Sequence, residues 1–282
     1  MKNITYNYIK FLASFANIQK QLKIILDCSN GASSIPLKIL QQHPIQNLSI
    51  DLINNKIDGN FPAHGPNPLN NNKAINFISH KILKYKYDLG GILDGDGDRI
   101  ILIDNIGNPI PAYIIANLFM KKYKGPFVFD TLTYESLKYA NLLPKNNFFV
   151  SQTGHRLMQN TMHKYKAEFG IEYSGHLYFK TIQYHDDPLF GLIQISNIIS
   201  SLPYTINDYI KLLEKHINII QINIKINDST NNFINRLENT LFTKTKKIIS
   251  TDGSIFEFKN GWIQIRQSHT EPLFRIFIGI IQ

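Results

Sequence analysis

The sequence contains very little cysteine and no long hydrophobic run. Cys28 is the one cysteine among 282 residues, which excludes a disulfide framework and leads us to expect a reducing, cytoplasmic setting. No apolar run approaches the length of a membrane span, so we expect no membrane partner. The first residues form only a short, interrupted apolar patch without arginine, so we expect neither a secretory signal nor a transit peptide.

Acidic residues are also fewer than basic ones. The chain has 21 Asp and Glu against 30 Lys and Arg, which gives a formal net charge of +9. Such a balance is typical of proteins that bind nucleic acid or anionic substrates. The lysines are scattered and no nucleic-acid-binding motif accompanies them. We therefore expect no nucleic-acid partner and keep a basic nucleic-acid-binding module as a third alternative only.

Three of the carboxylates are concentrated in the stretch over residues 93–99. Asp94, Asp96 and Asp98 alternate with two glycines, and Arg99 closes the run. Like charges this close repel one another unless a cation lies among them. Glycine has no Cβ, so the backbone can curl and turn the three carboxylates inward. Because hard oxygen ligands suit Mg²⁺ and arginine offers a planar fork to a phosphate oxygen, the stretch predicts a magnesium site beside a phosphate.

Other kinds of site share part of this pattern. A calcium EF-hand loop also begins Asp-x-Asp-x-Asp, but it needs Gly at its sixth position and Glu at its twelfth, where this chain has Arg99 and Asn105. A dinucleotide-binding fingerprint fails because no third glycine follows Gly97 at the right spacing. A solvated acidic turn between two apolar strands, over residues 89–93 and 100–103, stays open as the alternative to metal binding.

The run Asp-Gly-Asp-Gly-Asp-Arg after an apolar strand resembles the metal loop of the phosphohexomutases, in their phosphomannomutase/phosphoglucomutase branch. Further stretches resemble motifs of that family in the family's order: Asp-Cys-Ser-Asn-Gly-Ala at 27–32, Phe-Pro-Ala-His-Gly-Pro-Asn-Pro at 61–68, Ser-Gln-Thr-Gly-His-Arg at 151–156, Glu-Tyr-Ser-Gly-His at 172–176, and Arg-Gln-Ser-His-Thr-Glu-Pro at 266–272, followed by Arg275. Without the resemblance, the composition of these stretches predicts a proline-rich connector at 61–68, a polar turn at 172–176 and a hairpin turn at 266–272.

The resemblance implies an isomerase that shifts phosphate between the 1- and 6-positions of a hexose through a bisphosphosugar. It implies that Mg²⁺ is the cofactor and that hexose phosphate is the partner, held by a carboxylate and hydroxyls on the sugar and by guanidiniums and hydroxyls on the phosphate. The residues that it assigns are Asp94, Asp96 and Asp98 as metal ligands, Arg99 and His155 as catalytic residues, and Glu172, Ser174, His176, Arg266, Ser268, Thr270 and Arg275 as substrate-binding residues.

Five positions depart from the family's pattern. Leu132 and Gln152 stand where members usually have lysine, and Pro188 replaces a glycine. In the last motif, Gln267 replaces a proline and His269 replaces an asparagine or glycine. The pair Asp186-Asp187 lies where the family has Asp-Asp-Gly. We predict that this pair provides negative charge at a helix N-terminus rather than acid–base chemistry.

The apolar periodicity predicts an α/β fold. It predicts helices near residues 6–21, 35–41, 74–85, 112–123, 189–200 and 231–241, and strands near 22–26, 89–93, 100–103, 127–129, 177–179, 220–226, 254–258 and 262–265. We expect two related mixed-sheet α/β domains of the mutase type over residues 1–108 and 109–203, followed by a smaller α+β C-terminal domain over 204–282.

The family's first domain carries a phosphoserine in a loop of the Thr-x-Ser-His-Asn-Pro kind, and no stretch of this sequence resembles that loop. We therefore assign no phosphoserine nucleophile and expect a split half completed by a separate chain, or a decayed fragment of the enzyme. A catalytically inactive sugar-phosphate-binding protein is the alternative. We also expect the helix near residues 6–18 to dock the separate chain, because its apolar face would otherwise pack on one domain only.

Overall fold

The computed structural model describes residues 2–69, 71–225, 236, 246–250, 252–268 and 273–282. The predicted helix over 231–241 lies outside these ranges except for Arg236, and the predicted phosphate-binding residue Thr270 lies outside them too. Among the described residues, no helix combines the length and the apolar character that crossing a membrane requires.

The first domain is a four-stranded sheet with three helices. Its elements are α1 (Lys2–Ser14), β1 (Leu22–Asp27), α2 (Ser34–Gln42), β2 (Leu48–Ile53), α3 (Asn72–Tyr85), β3 (Leu89–Leu93) and β4 (Ile100–Ile103). The strand order is β2-β1-β3-β4, with β1 parallel to β2 and β3 and with β4 antiparallel to β3. Every residue of β3 is buried, which is usual for a central strand covered on both faces. The strands predicted for β1, β3 and β4 are confirmed, whereas the sequence pattern does not predict β2.

The second domain repeats this plan. Its elements are α4 (Ala112–Lys122), β5 (Phe127–Asp130), α5 (Thr131–Tyr139), β6 (Phe148–Ser151), α6 (His155–Tyr165), β7 (Phe169–Ile171), β8 (Leu177–Phe179) and α7 (Pro188–Ser201). The strand order is β6-β5-β7-β8, with β5 parallel to β6 and β7 and with β8 antiparallel to β7. The repeated order confirms the prediction of two related mixed sheets.

Helix α1 packs on both of these domains. It ends at Ser14 rather than near residue 21, and Ile18 is buried in the connection that follows. On the first domain, the ring of Tyr6 lies 4.8 Å from that of His43; on the second, the Tyr8 hydroxyl donates to Asp187 at 2.8 Å and the rings of Phe11 and Phe190 lie 6.0 Å apart. The expectation that α1 has only one domain to pack on is therefore wrong, and this removes the reason for expecting the helix to dock a separate chain.

The C-terminal domain is built on an antiparallel sheet. It follows the short helix α8 (Ile206–Lys211), and its strands are β9 (Ile217–Ile224), β10 (Lys246–Ser250), β11 (Gly253–Phe258), β12 (Gly261–Gln267) and β13 (Phe274–Ile281). The strand order is β10-β11-β12-β13-β9, and every pairing is antiparallel. The predicted fold class, two mixed-sheet α/β domains followed by a smaller α+β domain, is confirmed.

Strand β9 begins three residues earlier than predicted and turns Ile220 and Ile222 outward. Ile220 and Ile222 are 44% and 43% exposed. Gln221 and Asn223, on the opposite face, line a cleft between the domains. Alternation alone favours burial of the apolar face. Here the first part of the inner face, Ile217 and Ile219, packs on the core, and its second part, Gln221 and Asn223, is polar because it forms a wall of that cleft.

Candidate functional site

The aspartate loop, residues 94–98, connects β3 to β4 and is organised by Asp94. This side chain is fully buried, and its Oδ1 accepts the N–H groups of Gly97, Asp98 and Arg99 at 3.0, 3.1 and 3.1 Å. Its Oδ2 accepts from Arg99 Nε at 2.6 Å. Gly97 has φ = +84°, a conformation that favours glycine. One buried carboxylate thus fixes the curl of the loop through its backbone donors.

The three aspartates of this loop form a group that could hold a metal ion. One oxygen each from Asp94, Asp96 and Asp98 lies within 4.8 Å of the others. Burial and the negative charge of Asp94 raise the pKa of Asp96, which indicates repulsion that a cation would relieve. A carboxylate oxygen has two lone pairs, so Asp94 Oδ2 can accept from Arg99 and still bind a metal. The oxygen set fits a hard divalent cation with open coordination positions.

Two further loops brace the aspartate loop. From the proline-rich stretch 61–68, Pro66 accepts the N–H of Gly95 at 2.9 Å, and from the small-residue turn 27–32, the N–H of Ala32 donates to Gly95 O at 3.0 Å. A Cβ at residue 95 would lie 2.8 Å from atoms of Phe61 and of Pro66, so glycine is required there. The proline-rich stretch is part of the wall of the site and not a plain connector.

The loop over residues 172–176 contributes Tyr173 and Ser174 to the cleft. Glu172 lies behind them, almost fully buried. Its Oε1 accepts the N–H of Gly154 at 2.7 Å, and its Oε2 accepts the Tyr178 hydroxyl at 2.8 Å. The carboxylate of Glu172 therefore ties this loop to the turn before α6, and Ser174 is the polar side chain through which the loop meets the cleft.

Gly175 joins the second domain to the first. Its carbonyl accepts the N–H of Ile100, at the start of β4, at 3.2 Å. Gly175 has φ = +99°, and a Cβ there would lie 2.7 Å from Ile100 O. This close approach brings His176 Nδ1 to 3.9 Å from Asp98 Oδ1 across the domain boundary.

Asp186 joins the two histidines that the sequence singled out. Its Oδ2 lies 2.7 Å from His176 Nδ1 and 3.1 Å from His155 Nδ1. Burial raises the pKa of Asp186, but the hydrogen bonds and charges of the histidines outweigh it, so that the pKa is lowered. Asp187 instead caps α7, accepting two N–H groups of its first turn at 2.9 Å. The predicted helix N-terminal role is confirmed for Asp187 and wrong for Asp186.

The predicted phosphate-binding arginines lie opposite each other on neighbouring strands. In the register of β12 and β13, Arg266 pairs with Arg275, and Asn223 of β9 lies opposite Arg275 on the other side. Both guanidinium side chains line the cleft. Like charges directly opposite on a sheet are destabilising, so this pair favours an anion between them. Ser268 follows at the end of β12, where its N–H donates to Leu273 O at 2.9 Å.

Asp252 is a buried residue of this region that sequence reasoning missed. Its Oδ2 accepts the Thr153 hydroxyl at 2.7 Å, and its Oδ1 lies 3.8 Å from Arg266 Nη1. It thereby connects the turn before α6 with the arginine row. The Asp252-Gly253 pair marks a hairpin turn, which is the local pattern that could have drawn attention to it.

All three domains meet around one cleft of about 740 Å³. Leu132, where family members usually have lysine, packs in an apolar cluster with Ile255, Trp262 and Phe277 of the C-terminal sheet. Asp130 also lines this cleft, and burial together with the charge of Glu172 raises the pKa of its carboxyl group to about 7. The residues that line the cleft are Asn67, Leu69, Arg99, Asp130, Leu132, Thr153, Tyr173, Ser174, Gln221, Asn223, Arg266, Arg275 and Phe277.

The repeated strand order defines a protein of tandem α/β/α domains, and comparison with known families agrees. The description "Phosphoglucomutase/phosphomannomutase, alpha/beta/alpha domain II" matches residues 6–107, and that of "domain III" matches residues 110–216. Together these matches cover well over half of the chain. The chain therefore belongs to the phosphoglucomutase/phosphomannomutase family of phosphohexomutases.

Individual relatives extend over almost the whole chain. A phosphomannomutase of Methanocaldococcus jannaschii is 31% identical over an alignment of 284 positions, which spans 97% of this chain and 61% of the relative. A phosphomannomutase/phosphoglucomutase of Pseudomonas syringae pv. tomato is 29% identical over 280 residues, which cover 96% of this chain and 59% of the relative. The chain thus spans about three fifths of the length of these relatives.

Solved structures show the same fold. A phosphoglucomutase/phosphomannomutase family protein of Burkholderia thailandensis matches with a TM-score of 0.81 and 20% identity over 98% of this chain and 60% of its own. A putative phosphomannomutase of Thermus thermophilus matches with a TM-score of 0.77 and 14% identity, over 98% of this chain and 62% of its own.

Proposed function

We propose that this chain provides the metal-, sugar- and phosphate-binding parts of a phosphohexomutase that interconverts hexose 1- and 6-phosphates. The observation that supports this most is that Arg99, Ser174 and the paired arginines of β12 and β13, from three domains, line one cleft. Arg99 also lines an adjoining pocket with Asp96, so the aspartate loop borders the same space. A cation site beside a row of guanidiniums suits phosphoryl transfer, which depends on positioning and charge stabilisation.

In this proposal the role of each residue follows from its contacts in the structure. Arg266 and Arg275, with Ser268 and Thr270, hold the phosphate that is not transferred. Arg99 has its Nε bonded to Asp94 and offers its other N–H groups to the transferring phosphate. Ser174 binds a sugar hydroxyl, whereas Glu172, assigned to substrate binding from the sequence, holds its loop in place, because both its oxygens accept from the protein itself. His155, bonded to Asp186 through Nδ1, keeps Nε2 for proton exchange with the sugar hydroxyls.

We propose that Asp94, Asp96 and Asp98 bind Mg²⁺, whose charge would balance that of the phosphate oxygens. Asp96→Asn is expected to weaken Mg²⁺ binding clearly, because it removes one of the three charged ligands, and calorimetric titration measures this. The wild-type dissociation constant should be roughly millimolar, since only three protein carboxylates contribute. Asp51→Asn, an exposed aspartate on β2, is the matched control and should bind as the wild type does. Equal Mg²⁺ affinity in Asp96→Asn and wild type would contradict the assignment.

Hexose phosphate is the proposed substrate, so it should protect the folded protein. Glucose or mannose 6-phosphate, at one hundred times its dissociation constant, is expected to raise the free energy of unfolding by about 2.7 kcal/mol. Free glucose at the same concentration should give no shift, because it has no phosphate for the arginine row. Thermal unfolding with each ligand measures the difference, and equal protection by glucose would rule out a phosphate-anchored binding mode.

We further propose domain boundaries near residues 108 and 203, a cytoplasmic location, and a separate chain as the carrier of the phosphoserine loop. The cytoplasmic proposal is supported by Cys28, which is buried and unpaired. Burial raises the pKa of its thiol to about 12, so the thiol stays protonated and unreactive.

A further inference from the structure

Four side chains from separate segments converge beside the aspartate loop. Asp98 comes from that loop, His155 from the first residue of α6, His176 from the loop after β7, and Asp186 from the connection before α7. The ligand atoms of Asp98, His176 and Asp186 all lie within 4.8 Å of one another. His155 Nδ1 lies 3.1 Å from the same Asp186 oxygen that faces His176. We name these four residues the histidine–aspartate cluster.

The fold holds this cluster in place independently of any ligand. Asp186 pairs with Tyr178 of β8 in an isolated antiparallel bridge, which fixes its backbone beside the 172–176 loop. The Gly175 contact with Ile100 sets the distance between His176 and Asp98. Asp186 and His176 are largely buried, whereas His155 is 49% exposed and opens the cluster to solvent. An ion could therefore enter without unfolding either domain.

One oxygen of the cluster has no hydrogen-bond donor. Among the described residues, none hydrogen-bonds to the buried Oδ1 of Asp98. Arg99 Nε lies 3.5 Å from this atom and His176 Nδ1 lies 3.9 Å from it. A buried carboxylate oxygen without a hydrogen-bond donor favours a cation in direct contact, closer than the Arg99 guanidinium. The carboxylate faces an imidazole nitrogen that is itself a good metal ligand.

The donor distances of the cluster lie on either side of the spacing of a tetrahedral site, and Asp98, His176 and Asp186 form its compact part. Bonds of about 2.0–2.1 Å to nitrogen and about 2.0–2.2 Å to oxygen place tetrahedral ligands of zinc roughly 3.3–3.5 Å apart. The distances here are 2.7 Å from His176 to Asp186, 3.1 Å from His155 to Asp186, and 3.9 Å from His176 to Asp98. Tetrahedral spacing requires the His176–Asp186 distance to lengthen by about 0.6–0.8 Å and the His176–Asp98 distance to shorten by about 0.4–0.6 Å.

We propose that His155, His176, Asp186 and Asp98 bind one borderline divalent cation, such as Zn²⁺ or Co²⁺, at a second metal site. Two imidazoles and two carboxylates suit Zn²⁺, Co²⁺ or Ni²⁺, whereas Mg²⁺ prefers oxygen ligands in octahedral geometry. The site shares only Asp98 with the aspartate loop. A metal there would displace the protons that the histidines donate to Asp186 and would link the two domains.

Titration of the protein with Co²⁺ and visible absorption spectroscopy tests this site directly. Tetrahedral Co²⁺ with nitrogen and oxygen ligands absorbs strongly in the visible range, whereas octahedral Co²⁺ on oxygen ligands is nearly colourless. We expect strong bands that saturate at one equivalent, that persist in excess Mg²⁺, and that Zn²⁺ removes by competition. Only weak octahedral absorption would overturn the proposal.

Matched variants locate the ion. His155→Gln, at a position that is 49% exposed, and Asp186→Asn should each lose the bands while keeping the far-ultraviolet circular dichroism of the wild type. His185→Gln removes a nearby histidine outside the cluster and should keep the bands. Asp96→Asn should keep them as well, because it affects only the aspartate loop. Bands that survive in His155→Gln and Asp186→Asn but disappear in Asp96→Asn would place the ion in the aspartate loop and refute a second site.

Discussion

Gly175→Ala, in the loop over residues 172–176, is expected to destabilise the protein and to weaken the contact between its first two domains. Alanine at φ = +99° is strained, at a cost on the order of 1–3 kcal/mol. The added methyl would also lie 2.7 Å from the backbone oxygen of Ile100, which β4 holds in place. The loop must then move away from the first domain, so we expect a lower thermal midpoint and weaker hexose-phosphate protection together.

Two other glycines separate the causes of this effect. Gly59 has open space within 4 Å of an added Cβ, so Gly59→Ala reports the general effect of a methyl group. Gly65 has φ = +88° and the same open space, so Gly65→Ala reports the backbone strain alone. We expect the midpoint of thermal unfolding to be highest for Gly59→Ala, lower for Gly65→Ala and lowest for Gly175→Ala. A Gly175→Ala midpoint equal to that of Gly59→Ala would contradict the proposed role of this contact between the domains.

Arg266→Ala is expected to remove most of the protection that hexose 6-phosphate gives. Arg266 is buried, its guanidinium carbon lies 5.5 Å above the ring centre of Phe277, and it faces the cleft. A charge-assisted hydrogen bond contributes about 1.5–3 kcal/mol. We therefore expect the dissociation constant for hexose 6-phosphate to rise about 10- to 150-fold. Ligand-dependent thermal unfolding measures this change.

Removal of Arg266 also removes the cation that lies 3.8 Å from Asp252, so it can lower the stability of the protein without any ligand. The unliganded variant is therefore the first control for this experiment. The shift caused by ligand, not the midpoint itself, is the quantity to compare. Arg156→Ala removes an exposed arginine of α6 and should keep full protection. Arg266→Lys keeps the charge but not the planar fork, and it should recover only part of the affinity. Full protection of Arg266→Ala would contradict the phosphate assignment.

The parts of the fold that the sequence predicts well are governed by local patterns. The apolar strands over residues 89–93 and 100–103 and the glycines between the aspartates specify a tight connection, and β3 and β4 have those same bounds. The sequence predicts too long a helix α1 because Ile18 continues the apolar spacing. Burial of Ile18 comes instead from the connection beside α7, where the N–H of Asn17 donates to Asn197 at 2.6 Å.

The parts of the site that the sequence does not reveal depend on contacts between distant segments. The sequence predicts Asp186 to be a charge at a helix N-terminus, because its contacts with the two histidines form only when β8 and α6 come together in the fold. Asp252 is 99 residues from Thr153 along the chain, and no pattern in the sequence relates them. Likewise, the outward orientation of Ile220 and Ile222 follows from the pairing of β9 with β13, which puts Asn223 in the arginine row.

The measurement that tests the central proposal most directly is a coupled assay of glucose 6-phosphate formation from glucose 1-phosphate, with Mg²⁺ and glucose 1,6-bisphosphate present. The 282-residue sequence contains no Ser-His-Asn-Pro loop to carry the phosphoryl group. A site that positions phosphate without a phosphoryl carrier has nothing to transfer. We expect no turnover by this chain alone, and turnover once a separately expressed first domain with that loop is added. Robust turnover by the chain alone, abolished by Asp96→Asn, would contradict the account.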